Sequence, residues 1–447
     1  MHYTLEEILS YGFVLLLSVL IVIIYLKIKK RKSNLVKAKV VTAKEEGLFE
    51  PVSLHPHIDL DSCIGSGACI AACPEKDILG IVNGKATVVN ATNCVGHGAC
   101  FHACPVEAIS LKIGTEKRGV DLPHVNQTFE TNVKGIYIAG ELGGMGLIKN
   151  SVEQGKQAVE NIASSLSKSV QDIYDLLIIG AGPAGISASL TAKKHGLKSV
   201  TFEQDTLGGT VYTFPRAKIV MTAPMDLPLY GKVRLYDTSK AELLEIWNEA
   251  IEKNGLDIRE STKVDAVIPL EDGTFKLKTF DGDEFLTRSV LIAIGRRGTP
   301  RKLRVPGEES QKVAYRLIEA ERIKDKKVIV VGGGDSAIES AMLLMDDNDV
   351  ILSYRKDKFS RIKPKNRDKI QNAIENGKIQ VAFNSNLTEI KEKSVFLTYS
   401  DTGDTIEFEN DLVYIFAGGE LPTKFLQNAG IEIAKRFGYI VQSHKRN

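Results

Sequence analysis

Cysteine is scarce in this chain and confined to one stretch. Among 447 residues there are six, all between Cys63 and Cys104. A secreted protein held by disulfides spreads or pairs its cysteines differently, so that class is set aside. Downstream of Cys104 no dithiol site can exist. No Cys-x2-Cys knuckle occurs either, which argues against structural zinc. An excess of either charge is also lacking. Lys+Arg 58 against Asp+Glu 56 leaves +2, too little to gather nucleic acid or an acidic partner. Low-complexity sequence is absent, and Trp247 is the sole tryptophan. The length excludes a single core and leaves room for roughly two to four domains.

What is present begins with an apolar run at 8–26 that holds no charged residue. Roughly 19 residues suffice to cross the hydrocarbon core as a helix. Glu6 and Glu7 precede it, and Lys27, Lys29, Lys30, Arg31 and Lys32 follow at once. The cationic flank lies after the run, and no small-residue cleavage site follows. The pattern is that of a signal anchor, not a cleaved signal peptide. The positive-inside rule then puts the body of the protein in the cytoplasm, on the inner membrane as a single-pass protein. Residues 27–56 read as a basic and polar linker.

The six cysteines lie in an internal repeat. DSCIGSGACIAACPEKDI recurs as TNCVGHGACFHACPVEAI. Close thiols with a Cys-Pro at the end of each half point to metal ligation in a reducing compartment. The halves read Cys63-x5-Cys69-x3-Cys73-Pro74 and Cys94-x5-Cys100-x3-Cys104-Pro105. This resembles the two-cluster bacterial ferredoxins, which use C-x2-C-x2-C-x3-C-P twice. Ser66 and His97 stand where that family has its second cysteine. The resemblance implies an α+β ferredoxin-like domain over 57–117. It implies one iron–sulfur cluster on Cys63, Cys69 and Cys104, and another on Cys94, Cys100 and Cys73. With three thiolates each, the clusters are 3Fe–4S, or 4Fe–4S completed by His97 and Ser66.

Downstream, apolar strands alternate with helices, the pattern of parallel α/β sheet. The strand at 174–179 opens GAGPAG (Gly180, Ala181, Gly182, Pro183, Ala184, Gly185), and Glu203 ends the next strand. The first glycine permits the tight turn, the second lets backbone approach a pyrophosphate, and the third allows close helix packing. The helix start offers amide dipoles to phosphate, and Glu203 would bond ribose hydroxyls. A second motif, Gly332, Gly333, Gly334, Asp335, Ser336, follows the strand beginning at Lys327. After the next strand come Arg355, Lys356 and then Arg361. From about residue 172 onward the chain resembles flavoproteins with two dinucleotide-binding domains, of the thioredoxin reductase type. That resemblance implies FAD at the first motif and a nicotinamide nucleotide at the second. The basic cluster would pair with a 2′-phosphate, which favours NADPH over NADH.

The family's flavin-capping end is displaced. Its counterpart here is TNVKGIYIAGELGGMGLIKNSVEQGKQAVENI at 131–162, ahead of the GAGPAG strand, as in a circular permutation. Gly140 and Glu141 would then contact the flavin phosphate or ribityl chain. Gly146 and Leu147 would open a helix whose N-terminus faces the flavin ring. The expected order is therefore a transmembrane helix (8–26), linker (27–56), ferredoxin domain (57–117) and capping segment (118–168). The FAD domain (172–298), the NAD(P)H domain (299–408) and a return to the FAD domain (409–447) follow.

A flavin takes a hydride as two electrons, and each cluster carries one. The expected function is NAD(P)H-linked electron transfer between nicotinamide, FAD and the clusters. The outside partner would be a one-electron carrier protein, a quinone or a membrane enzyme. Two alternatives stand beside it: a redox or oxygen sensor built on cluster loss, and a disulfide reductase without the usual Cys-x-x-Cys. The resemblance also implies a homodimer.

Overall fold

The computed structural model describes residues 5–45, 49, 51, 54–75, 77–94, 96, 98–144, 146–166, 173–214, 219–222, 224–235, 237–296, 299–359, 362–420 and 422–444. The chain forms two compact units. One comprises Met1–Gly119 with Phe437–Asn447, the other Val120–Arg436.

In the first unit a single helix runs Leu5–Glu45, which corrects the expectation of a linker for residues 27–45. No glycine or proline interrupts residues 13–46, and the basic stretch is rich in good helix formers. The latter part of this helix also has something to pack on. Val36 lies over Gly80, where a Cβ would collide with Val36 Cγ1. Lys39 pairs with Asp77 at 2.6 Å, and the Asn83 N–H donates to Ser33 Oγ at 3.0 Å. Gly80 and Asn83 belong to the hairpin formed by Leu79–Val82 and Lys85–Val88. The cysteine repeat builds two short helices, Ala68–Ala72 and Ala99–His102. A three-stranded antiparallel sheet completes the unit. Its centre is Ile109–Ile113, flanked by Leu54–Ile58 and by Tyr439–Gln442 from the far end of the sequence.

The second unit repeats one design twice. The first five-stranded parallel sheet is built on Leu176–Ile179, next to Ser199–Phe202 on one side and Val290–Ile292 on the other. Ile136–Ile138 pairs parallel with Val290–Ile292, so the segment preceding the GAGPAG strand supplies an edge of its sheet. Alternate residues face opposite sides, as strand geometry requires. Leu176 and Ile178 pack on Ala158, Ile162, Ala184 and Ala188 of the helices Ile148–Ser165 and Pro183–Lys194. Leu177 and Ile179 face a meander of three strands, Val264–Pro269, Phe275–Thr279 and Glu284–Thr287. Burial on both faces explains why these strands read as unbroken apolar runs.

The second sheet centres on Lys327–Val331, between Leu412–Ile415 and Asp349–Tyr354. Val328 and Val330 pack on Ala337, Ile338 and Ala341, while Ile329 faces Leu387, Val395 and Leu397 of a second meander. The closing stretch expected to return wholly to the FAD domain is divided instead. Leu412–Ile415 belongs to this second sheet, Ile433–Arg436 pairs with Val120–Pro123, and Tyr439–Gln442 joins the sheet of the first unit.

Candidate functional site

Four candidate cradles emerge, two in the first unit and two in the second. The cysteines of the repeat gather in two groups that each mix the halves. Cys63, Cys69 and Cys104 line one pocket, with Ser66 at its rim. Cys94, Cys100 and Cys73 form the other group. Burial pushes the Cys94 thiol up to about 11 and the Cys100 thiol up to about 12, and neighbouring thiols add to both effects. Cys69 and Cys73 are also raised, chiefly by burial. None of the six is joined in a disulfide among the described residues. Burial therefore disfavours the charged form of Cys69, Cys73, Cys94 and Cys100, and a cationic iron centre would supply the missing compensation. Cluster assembly must therefore release their protons.

Backbone N–H groups already point at two of the sulfurs. Ala86 donates to Cys63 Sγ at 3.4 Å and Ala108 to Cys104 Sγ at 3.3 Å. Among the described residues no three His, Cys, Asp or Glu side chains converge on a single-ion site. Thiolates spread over the corners of a multi-iron group fit that spacing better than zinc ligands do. His97 lies outside the described residues. Glu75 was not expected here. Its charge acts on both Cys73 and Cys94, and its buried Oε1 has no hydrogen-bond partner among the described residues.

At GAGPAG the glycines divide their work sterically. Gly180 has φ +102, and a Cβ there would lie 2.7 Å from the Ala293 carbonyl oxygen. At Gly185 a Cβ would run into the Gly180 carbonyl, so the helix sits as close to the strand as backbone allows. Nothing lies within 4 Å of a Cβ placed on Gly182, which begins the helix Pro183–Lys194. That open space, at a helix N-terminus of 12 residues, suits a pyrophosphate. Ala184 packs in the core beneath it. Glu203 is buried, its Oε2 accepting the Ala181 N–H at 2.8 Å and its Oε1 the Asp205 N–H at 3.1 Å. Burial raises its pKa, against the pull of those amides. Gly208, missed in the sequence, donates its N–H to the Ala181 carbonyl at 3.0 Å and folds a loop over the motif.

The displaced segment packs against the same motif. The helix Ile148–Ser165 crosses Pro183–Lys194 so tightly that a Cβ on Gly155 would strike the Ala184 carbonyl. Gly140 has φ +85 and donates its N–H to the buried Gln154 Oε1 at 2.8 Å. Glu141 opens the 3-10 turn Glu141–Gly143. Gly146 lies beside Glu141, and Leu147 caps the helix with φ +99, a conformation that leucine rarely adopts. Gln154 and Gly155 escaped the sequence reading because neither belongs to a motif.

At the second motif Gly332 has φ +143 and packs near Ala337 and the Phe416 carbonyl. A Cβ on Gly333 would run into the Tyr354 ring. Gly334 and Ser336 are exposed at the start of the helix Asp335–Leu344, and a Cβ on Gly334 would meet nothing. This open position is the counterpart of Gly182. Asp335 is engaged in the scaffold, since its Oδ1 accepts the Lys363 N–H at 2.9 Å and Asn366 Nδ2 at 2.7 Å. Arg355 and Lys356 are exposed just past the strand Asp349–Tyr354. Arg361 lies outside the described residues.

Comparison with known proteins bears on both units. Residues 177–446 match the family described as pyridine nucleotide-disulphide oxidoreductase, and residues 55–105 match a 4Fe-4S dicluster domain. A ferredoxin–NADP reductase 1 of Bacillus mycoides (strain KBAB4) is 28% identical over 277 residues, covering 59% of this chain and 75% of the relative. Bacilliredoxin reductase Bdr of Bacillus subtilis (strain 168) is 26% identical, over 59% of this chain and 82% of its own. Among solved structures, the bacillithiol disulfide reductase Bdr (YpdA) from Staphylococcus aureus aligns with a TM-score of 0.52 at 26% identity, over 59% of this chain and 84% of its own. The matched family spans more than half of the sequence, and with the glycine cradles it settles the kinship: the chain is a member of the pyridine nucleotide-disulphide oxidoreductases, an FAD-dependent NAD(P)H oxidoreductase that also carries a 4Fe–4S dicluster domain.

Proposed function

We propose that this protein is a membrane-anchored NAD(P)H oxidoreductase that passes electrons between nicotinamide, FAD and two iron–sulfur clusters, and from there to or from a one-electron partner. The observation that carries the reading is the distribution of cysteine. All six thiols sit in the dicluster region, and the flavoprotein fold has none. Within the chain, only the clusters can exchange electrons with the flavin.

FAD is assigned to Gly180, Gly182, Pro183, Ala184, Gly185 and Glu203, with Gly140, Glu141, Gly146 and Leu147 closing over the flavin. The nicotinamide nucleotide is assigned to Gly332, Gly333, Gly334, Asp335 and Ser336. Exposed Arg355 and Lys356, with Arg361, support NADPH, because guanidinium and ammonium groups pair with a 2′-phosphate. One cluster is assigned to Cys63, Cys69 and Cys104, the other to Cys73, Cys94 and Cys100, with Ser66 and His97 standing where each motif's second cysteine would be. When bound, the flavin supplies the exchange between hydride and single electrons.

The helix Leu5–Glu45 is long and apolar enough over its first part to cross a membrane. Its basic residues from Lys27 to Lys32 support a cytoplasmic body. The relative named ferredoxin–NADP reductase supports a ferredoxin-like partner, with a quinone or membrane enzyme as further candidates and a homodimer as the assembly. A second reading, disulfide reduction, rests on the relatives named bacilliredoxin and bacillithiol disulfide reductases.

Steady-state NADPH oxidation by the full chain in detergent separates these readings. It is measured with a ferredoxin, a soluble quinone or a low-molecular-weight disulfide as acceptor, for the wild type and for Cys100→Ala. The proposal expects turnover with a one-electron acceptor that falls at least tenfold in the variant while flavin content holds. Turnover with the disulfide alone, undiminished in Cys100→Ala, favours the second reading. An absence of turnover with every acceptor points to a sensor.

A further inference from the structure

The two halves of the cysteine repeat each lack the second thiol of their motif, and the first half shows what takes its place. Cys63 and Cys69 are buried, whereas Ser66 between them is exposed. The loop that carries Ser66 is held in place. A Cβ on Gly65 would collide with the Gly84 carbonyl, and Gly65 and Gly67 have φ +69 and +76. Lys85 Nζ donates to the Cys63 carbonyl at 2.6 Å. The Ser66 hydroxyl accepts the Ala68 N–H at 3.4 Å, a local turn bond. The pocket at this corner is lined by Cys63, Cys69 and Cys104 together with apolar side chains that include Ile58, Ile64, Val106 and Ile109. Ile64 is 65% exposed and Val106 37%. Among the described residues lining the pocket, none is charged.

We infer that the corner beneath Ser66 is a binding site for an external low-molecular-weight thiol, which completes the cluster held by Cys63, Cys69 and Cys104. The inference rests on the cluster assignment proposed above. Iron in a sulfur-rich setting favours a soft donor, and a corner without a protein thiolate stays open, as at catalytic metal sites. Exposed Ile64 and Val106 at its edge offer apolar contacts to the carbon chain of a small thiol. On binding, the thiol loses its proton to solvent, its sulfur joins the iron, and no electron is transferred.

The test uses the full chain, purified anaerobically in detergent, with β-mercaptoethanol as the probe. Iron and acid-labile sulfide are counted, and EPR spectra of the dithionite-reduced protein are recorded with and without the thiol. Wild type, Ser66→Ala and Ser66→Cys are compared. The expected result is about eight irons per chain. The thiol should shift the signal of one cluster saturably in the wild type and in Ser66→Ala, and leave Ser66→Cys unmoved. Several outcomes would overturn the inference: about seven irons, a wild-type signal unmoved by thiol, or a shift that persists in Ser66→Cys. So would a Ser66→Ala spectrum already altered before thiol is added, because the hydroxyl would then be the ligand. A chain that binds no iron at all would remove the cluster assignment as well, a result distinct from the others.

Discussion

At the scale of single residues, the glycines separate fold from cofactor. Gly182→Val adds bulk where the fold is open, at a backbone φ of −78 that any residue accepts. The variant should keep its circular dichroism and lose its FAD, and a purified Gly182→Val protein with stoichiometric flavin would refute the placement. Gly185→Ala instead drives a methyl into the Gly180 carbonyl. It should lower stability by about 1–3 kcal/mol, as overpacking does, measured by denaturant unfolding. Arg355→Ala should raise KM for NADPH about tenfold and leave KM for NADH nearly unchanged, since a lost charge-assisted bond is worth about that factor. Equal effects on both nucleotides would contradict a 2′-phosphate contact.

Glu75 adds negative charge beside Cys73 and Cys94. That charge opposes the arrival of an electron, so Glu75→Gln should raise the potential of the neighbouring cluster. An interaction of about 1 kcal/mol corresponds to about 40 mV for a one-electron couple. Potentiometric EPR would read the shift, and a fall in potential would contradict the sign. The motif glycines and cysteines are legible in the sequence because their chemistry forces residue type and spacing. Gln154, Gly155 and Tyr354 are not, because each acts through a contact with a residue far away in the chain.

At the scale of elements, the strands and helices around both glycine motifs are readable, since strands buried on both faces must be apolar throughout. The end of the long N-terminal helix is not. Hydropathy marks where an apolar stretch stops, whereas the helix continues because Val36 finds Gly80 and Lys39 finds Asp77. The strand Tyr439–Gln442 is equally hidden, since its partner, Ile109–Ile113, lies more than three hundred residues earlier in the sequence. Beyond it, His444 stacks on Phe101 with centroids 3.7 Å apart. A chain ending at Arg436 would leave one side of Ile109–Ile113 unpaired and uncover Phe101. It should retain FAD and lose iron, chiefly from the group that includes Cys100. Full iron content in the truncated protein would show that the strand is dispensable.

At the scale of the whole molecule, the permuted order was legible as a displaced motif. It gains physical sense in the sheet, where Ile136–Ile138 lies parallel to Val290–Ile292. The sequence did not reveal that the chain passes between the two units twice, after Gly119 and after Arg436. Hydrophobic patterning sees a strand's burial but not which sheet receives it.

The proposed function requires electrons to pass between a flavoprotein fold without cysteines and the dicluster module that holds all six. The most direct measurement is an anaerobic NADPH titration of the full chain, with flavin absorbance and cluster EPR followed on the same samples. The expected result is that the flavin bleaches and reduced-cluster signals grow within one titration, with dithionite adding little more. Bleached flavin beside clusters that only dithionite can reduce would contradict it.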